Sequence, residues 1–426
     1  MTLVTSDPIN SSNKNSCYLF ATANSKESTA WKFHLIDHAK ESIEFSPNFC
    51  GGLDFQVCLL KIRENLHFNA TKVHIIASKD FITGENSTLI TDITKEFPDR
   101  FFFLITDRIL QGFPLATIEN HEKLLIVDEK YFVIGGSGIT PSMSEIGDQA
   151  PAEPEIDHWK DRFVASGFRD MDAVGKGPIA VAFRTHFFSL FLKWETLVTG
   201  NGINRHFDIN PQNTCTISIL DEDFFKGCIQ PSPTFAQVKA LYSKPKDNPK
   251  HNEITTEICN QINSTQNNIR IAHMLFNPAE PIKIAIKQLK ENRPFVTISL
   301  VTNSLNSDSP MANESFVWSN RSNYNLVSEV FEYIVPKILY HKKVMTFDDR
   351  ITIIGSYNLG QKSALFDDEA AIVVDSPEFT IAVNRIIDSD KLHSIAIDPQ
   401  TADEFQSLVP KIAAELQQAL LGSFLG

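Results

Sequence analysis

NHEKLLIVDEKYFVIGG, from Asn120 to Gly136, is two short apolar runs around a polar turn. Side chains of a strand alternate between faces, so His121 and Lys123 point the same way, an imidazole beside an ammonium at the mouth of an otherwise apolar hairpin. Asp128 stands an odd number of residues from His121 and cannot share its face on a regular strand. It opens the turn DEK, where a carboxylate accepts backbone N–H groups. Its expected role is to hold the hairpin that presents His121 and Lys123.

The segments around this hairpin follow an α/β rhythm. Starting at Trp31, WKFHLIDHAK has apolar residues at helical spacing and passes into the strand-like SIEFSPNF; QVCLLKIRENLHF reads as a second amphipathic helix and TKVHIIAS as a buried strand. RFFFLITD then leads into the hairpin, as buried strand rather than lipid-facing surface. CGGLDF marks a turn or the rim of a pocket. Such alternation predicts a mixed or parallel sheet with helices packed on it. After Phe207 the rhythm breaks in a stretch rich in Pro, Asn and Asp, then resumes with EITTEICNQINSTQNNIRIAH, PIKIAIKQLKENRP and FVTISLVTNS. The expected organisation is a polar lead-in (1–25), a first half (26–207), a connector (208–250) and a second half (251–426). The second half closes with a helix, ADEFQSLVPKIAAELQQALLGSFLG, whose apolar face packs on the body.

A recurring rhythm calls for a test for internal repeats. YHKKVMTFDDRITIIGSYN passes it: His341, Lys343, Asp348 and Gly355 stand at the same offsets as His121, Lys123, Asp128 and Gly135. One H-x-K-x(4)-D pattern arises by chance on the order of a few times per hundred chains of this length, and a matched second copy is far rarer. A lone histidine of this kind is an ordinary structural residue; the matched pair marks a site.

The bulk composition narrows the partners. Lys plus Arg at 39 against Asp plus Glu at 52 gives a net charge of −13, which weakens the case for binding along a nucleic acid. No arginine-rich, aromatic-interleaved channel sequence is present either. The six cysteines, Cys17, Cys50, Cys58, Cys215, Cys228 and Cys259, form no C-x-x-C pair or zinc-type cluster, so neither a metal site nor a disulfide framework is expected. The N-terminal stretch has no basic-then-apolar signal pattern, and no run approaches the ~18 apolar residues of a membrane span. Cytoplasmic residence, peripheral membrane contact, or export by a route other than Sec is the expectation.

Two histidines and two lysines, one pair from each half, suit displacement at a phosphodiester. One imidazole attacks phosphorus, the other protonates the leaving alcohol and then activates the incoming water or alcohol. Each ammonium stabilises charge on the non-bridging oxygens. No cofactor is needed for this scheme. A histidine held in one tautomer has a carboxylate behind it; Asp170 in GFRDMDAVGKGPIA and Glu369 in ALFDDEAAIVV are the candidates. Ser137 and Ser356 bond either the phosphate or the backbone.

These paired motifs resemble the phospholipase D superfamily over nearly the whole chain after the lead-in. GFRDMDAVGKGPIA, Phe188, Trp194, VTNSLNSDSP and IGSYNLGQKSALFDDEAAIVVDSP are similar to bacterial cardiolipin synthases of the C type and related phosphatidyltransferases. The resemblance implies two pseudo-symmetric α/β/α halves, each a mixed sheet flanked by helices, sharing one active site. It implies His121 as nucleophile, through a phosphohistidine, and His341 as acid/base, with Asp170 and Glu369 as their partners. The expected catalytic set is His121, Lys123, Asp128, His341, Lys343, Asp348, Asp170 and Glu369, with Ser137, Ser356 and Asn358 contacting substrate and no metal. The chain departs from the family pattern at three places: Gly138 stands where members carry Asn, Lys362-Ser363 where they carry Arg-Ser, and Asp367 where they carry Asn. The implied substrate is a glycerophospholipid at a membrane surface, with water or an alcohol as acceptor. A metal-independent nuclease and a decayed phospholipid-binding protein are the competing readings.

Overall fold

The structure is a computed structural model that describes residues 15–79, 82–106, 109–111, 116–144, 167–199, 233–243, 252–304, 317–336 and 338–400. Its frame is one mixed fifteen-stranded sheet. From the middle outwards, the first half contributes Ser16–Ala21, Asp172–Lys176, Tyr131–Gly135, Leu124–Val127, Ser42–Asn48, Lys72–Ser78 and Phe101–Thr106. The second half repeats that order with Thr234–Ser243, Glu369–Asp375, Ile351–Gly355, Lys343–Phe347, Asn268–His273, Thr297–Asn303 and Glu329–Tyr333, and adds Ser394–Ile397 at the edge. The expected two α/β halves are therefore joined into one sheet by the antiparallel pairing of Ser16–Ala21 with Thr234–Ser243.

Those two joining strands lie inside the stretches read from sequence as lead-in and connector, a correction to both boundaries. Along Thr234–Ser243, Ala236, Val238 and Ala240 are buried while Phe235, Gln237 and Lys239 face outward, a period of two in a segment surrounded by Pro and Asn. Cys17 and Leu19 are fully buried on the partner strand. The C-terminal helix expected over the last twenty-odd residues lies outside the described residues.

Alternation along the hairpin strands separates the two helical layers. Leu124 and Ile126 join a core, shared by both halves, with helices Ile179–Thr199 and Pro377–Lys391. Leu125 and Val127 join a core with the helices Ser25–His38, Gly52–Phe68 and Gly84–Glu96. Met345 and Phe347 do likewise with Glu253–Ser264 and Glu280–Asn292. Each fully buried Leu, Ile, Val or Phe contributes about 1.5–3 kcal/mol relative to exposure. Corresponding helices also start alike: Asn24 accepts from Glu27 N and Asn252 from Thr255 N, both at the N-cap.

Both hairpin turns need two residues in the left-handed region. Asp128 and Glu129 have φ of 56° and 54°, Asp348 and Asp349 of 51° and 53°, the arrangement of primed turns that suits the sheet's twist. Asp tolerates this region better than other non-glycine residues. The Asp128 carboxylate accepts from the backbone N–H of Lys40, Glu41 and Ser42. Asp348 does the same for Gln266, Asn267 and Asn268. Each aspartate pins its hairpin to the start of the neighbouring strand.

Candidate active site

His121 and Lys123 lie just before the strand Leu124–Val127, and in the second half His341 precedes and Lys343 begins the strand Lys343–Phe347. All four are at least 95% buried, at 5%, 2%, 3% and 2% exposure. The residues between them face the other way. Glu122 meets His186 of helix Ile179–Thr199 at 2.5 Å, and Lys342 pairs with Asp390 of helix Pro377–Lys391. The shared helical layer thus grips the back of each motif while its front faces the site.

The two carboxylates are equivalent under the internal repeat. Gly135 pairs with Asp172 and Gly355 with Ala371, so Asp170 and Glu369, two residues earlier, occupy the same position in the two halves. Each serves the histidine of the opposite half: His121 Nδ1 lies 3.0 Å from Glu369, and His341 Nδ1 lies 2.6 Å from Asp170. The backbone repeats the crossing, His121 N donating to Asp368 O at 3.0 Å and His341 N to Arg169 O at 2.9 Å. Gly136 permits this, since a Cβ there would sit 2.2 Å from the Asp170 carboxylate.

Aromatic rings wall the two imidazoles edge-on, Phe49 against His121 at 6.0 Å and Phe168 against His341 at 5.1 Å between centroids. Lys123 lies over the Phe49 ring at 4.9 Å and donates to His121 O at 2.9 Å. With its amide oriented to suit its neighbours, Asn48 accepts from Lys123 Nζ at 3.1 Å. Lys343 Nζ lies 3.1 Å from the His341 ring nitrogens and donates to His341 O at 2.7 Å.

Burial and mutual repulsion make these cations reluctant. Burial, then the charge of Lys343, lowers Lys123 to about 7; burial lowers Lys343 to about 8. Burial and Lys343 lower His341 to about 4, and burial with Lys123 holds His121 well below its ordinary value. The partners diverge. Burial and the nearby charge of Asp367 push Glu369 well up, whereas Asp170, despite its burial, is held below the carboxylate range by His341. The two carboxylates thus differ in tendency, burial favouring the protonated form of Glu369 and His341 favouring the ionised form of Asp170.

Other expected site residues fall differently. Asp128 and Asp348, named with the catalytic set, sit at the far ends of their hairpins and touch only backbone, as the holding role requires. Ser137 does not face the shared site. Its hydroxyl lies in a buried cluster with Asp172, Ser28 and Lys32, whose ammonium is 2.9 Å from Asp172. The register explains the error, because Ser356 matches Gly136 and Ser137 matches Tyr357. Ser356 and Ser363 both donate to Glu369 at 2.5 Å. The Asn358 amide is buried and, among the described residues, neither its Oδ1 nor its Nδ2 has a hydrogen-bond partner.

The departures from the family pattern have structural causes. At Gly138 a Cβ would meet Phe49 O at 2.2 Å, so this backbone has no room for asparagine. Its N–H instead donates to Met143 Sδ at 3.1 Å, where the second half has Asn358 N donating to Ser363 Oγ at 3.1 Å. Asp367 is fully buried and pairs with Lys362 at 2.9 Å, which also meets Glu119 at 3.0 Å. Burial lifts Asp367 to about 7. Glu119 carried no motif signal, and only its position two residues before His121 pointed to it.

Among the described residues, no group of His, Cys, Asp and Glu is arranged to hold a metal ion, and no helix is long and apolar enough to cross a membrane.

Residues 258–391 match the family model of the cardiolipin synthase, PLD-like domain. The chain is 22% identical over 282 residues to the minor cardiolipin synthase ClsB of Bacillus subtilis (strain 168), covering 64% of this chain and 56% of that protein. An uncharacterised protein of Helicobacter pylori (strain ATCC 700392 / 26695) is 22% identical over 293 residues, covering 61% of this chain and 54% of that one. The chain thus spans about half the length of the curated relatives it matches. The crystal structure of phosphatidylserine synthase from Haemophilus influenzae Rd KW20 superposes with a TM-score of 0.67 at 14% identity, over 97% of this chain and 98% of that one. The fold is the one expected.

Proposed function

We propose that this chain, a phospholipase D-like protein, is an enzyme that cleaves or transfers at the phosphodiester of a glycerophospholipid. His121 Nε2 attacks phosphorus while His341 gives a proton to the departing alcohol. Water or a second alcohol, deprotonated by His341, then displaces His121 from phosphorus. The nucleophile has to be uncharged, which suits a His121 that burial and Lys123 hold well below its ordinary value. The acid has to carry a proton when an anion is present, which suits an imidazole backed by ionised Asp170. Lys123, Lys343 and the unpartnered Asn358 amide receive the non-bridging oxygens. A bound phosphodiester supplies negative charge beside both lysines and favours the ammonium forms that burial disfavours.

The observation that carries this reading is the crossed pairing of His121 with Glu369 and His341 with Asp170. Each catalytic imidazole is completed by the other half, so chemistry requires both. The similarity to a cardiolipin synthase and a phosphatidylserine synthase supports a phospholipid as substrate and a head-group alcohol as acceptor. Contact with the membrane is peripheral in this proposal.

Mass spectrometry of lipids from mixed phosphatidylglycerol and phosphatidylcholine vesicles, with and without glycerol, tests it. The expected products are phosphatidic acid and, with glycerol, exchanged phosphatidylglycerol, both absent in His121→Ala and His341→Ala. Unchanged vesicles together with degradation of single-stranded DNA in EDTA would assign the site to nucleic acid.

A further inference from the structure

We propose that His273 is a substrate-facing residue that holds a free hydroxyl of the acceptor alcohol on the second-half side of the site; this rests on the phosphodiester reading above. His273 ends the strand Asn268–His273 and pairs directly with Lys343 across the antiparallel register. Directly opposed residues of an antiparallel pair present their side chains on the same face, with Cβ atoms about 4.5–5.5 Å apart. The imidazole therefore stands beside the Lys343 ammonium on the face that carries His341.

The side chain is buried at 3% exposure, yet among the described residues its Nδ1 has no hydrogen-bond partner. A buried polar atom left unpaired costs about 1–3 kcal/mol, so it is kept for something that arrives. Burial and the neighbouring Lys343 hold the ring neutral, and Asp170 also acts on it electrostatically. A neutral imidazole can both donate to and accept from a hydroxyl.

The repeat shows that the imidazole belongs to one half only. Leu124 pairs with Ser46 and Val344 with Ala272, but the first-half strand is irregular between Phe45 and Asn48, and it is Asn48 that meets Lys123 where His273 stands beside Lys343. The Asn48 amide is bonded to Lys123 and Asn120, whereas His273 Nδ1 has no such bond among the described residues. In-line displacement puts the attacking and departing groups on opposite sides of phosphorus. With His121 attacking from the first half, the alcohol lies toward His341, Lys343 and His273. The extra imidazole breaks the symmetry on the side where an alcohol must be distinguished from water.

Phosphatidylcholine vesicles, whose departing choline has no further hydroxyl, with isotopically labelled glycerol test this, reading labelled phosphatidylglycerol for transfer and phosphatidic acid for hydrolysis. In His273→Phe, which keeps a ring without hydrogen-bonding groups, the KM for glycerol is expected to rise about tenfold while phosphatidic acid formation stays within about threefold. His273→Gln, which can still hydrogen-bond, is expected to restore the glycerol KM. An unchanged glycerol KM in His273→Phe, with the wild type active, overturns this assignment alone. Equal loss of both products in His273→Phe and His273→Gln also overturns it, by giving the residue a purely structural role. A wild type that forms neither product overturns the phospholipid reading and this assignment together.

Discussion

Glu369 stands 248 positions beyond His121 in the chain, yet its carboxylate oxygens lie 3.0 and 3.1 Å from His121 Nδ1. Asp170 and His341 make the reciprocal contact across 171 positions, at 2.6 Å. Each carboxylate fixes the ring orientation and tautomer of a histidine it does not share a half with. Asp170→Asn and Glu369→Gln preserve shape but remove that control. In both, kcat is expected to fall about 10²–10⁴-fold, the range for a misoriented acid or base. Circular dichroism should show the fold retained. Wild-type kcat in either variant would contradict the assignment.

The lysine pair gives a pH dependence of definite sign. Lys123 and Lys343 are lowered to about 7 and about 8, so both ammonium charges are lost as pH rises through that interval. Anion binding is expected to weaken in the same window. Sulfate keeps its charge there, so its thermal stabilisation at constant ionic strength should be larger at pH 6 than at pH 9. In Lys343→Met that difference should shrink. Stabilisation rising with pH would show that these lysines do not hold the anion.

Gly136 and Gly84 make a matched pair. A methyl at Gly136 collides with the Asp170 carboxylate at 2.2 Å, whereas one at Gly84, the first residue of a helix, meets nothing within 4 Å. Gly136→Ala should cost about 1–3 kcal/mol through overpacking and remove most activity by displacing Asp170. Gly84→Ala should leave activity alone and stabilise by about 0.5–1 kcal/mol. Urea unfolding with parallel assays separates these; full activity in Gly136→Ala would show that the Asp170 position is not critical.

Asp128 and Asp348 should report on stability rather than chemistry. Each accepts three backbone N–H groups with its carboxylate. Replacement by alanine strands those donors and is expected to destabilise by about 1–3 kcal/mol. The kcat of the folded fraction should stay within about threefold, because neither residue touches the histidines. A large kcat loss at unchanged stability would return them to the catalytic set.

The hairpins, the repeat and the carboxylates were legible because their signals are local: His-x-Lys spacing, an aspartate-led turn, a glycine at the strand's end. What escaped was set by distant chain. Ser16–Ala21 and Thr234–Ser243 lie in polar surroundings, and only their pairing with each other makes them the centre of the sheet. Which carboxylate meets which histidine also depends on how the halves meet, information that no window of sequence contains. Ser137 misled because GGS and GS look alike, while the register aligns Gly136 with Ser356. His273 ends an ordinary apolar strand, and only its cross-strand neighbour gives it meaning.

The central claim is that His121 forms a covalent bond to phosphorus while His341 handles protons. His341→Ala should slow release of that intermediate, and a p-nitrophenyl leaving group, which departs without a proton, lets it form. The decisive measurement is peptide mass spectrometry at neutral to alkaline pH after brief exposure of His341→Ala to vesicles of phosphatidyl-p-nitrophenol. A phosphatidyl adduct on the peptide containing His121, absent in the His121→Ala/His341→Ala double variant, is the expected result. An adduct on another residue, or turnover persisting in His121→Ala, would contradict the account.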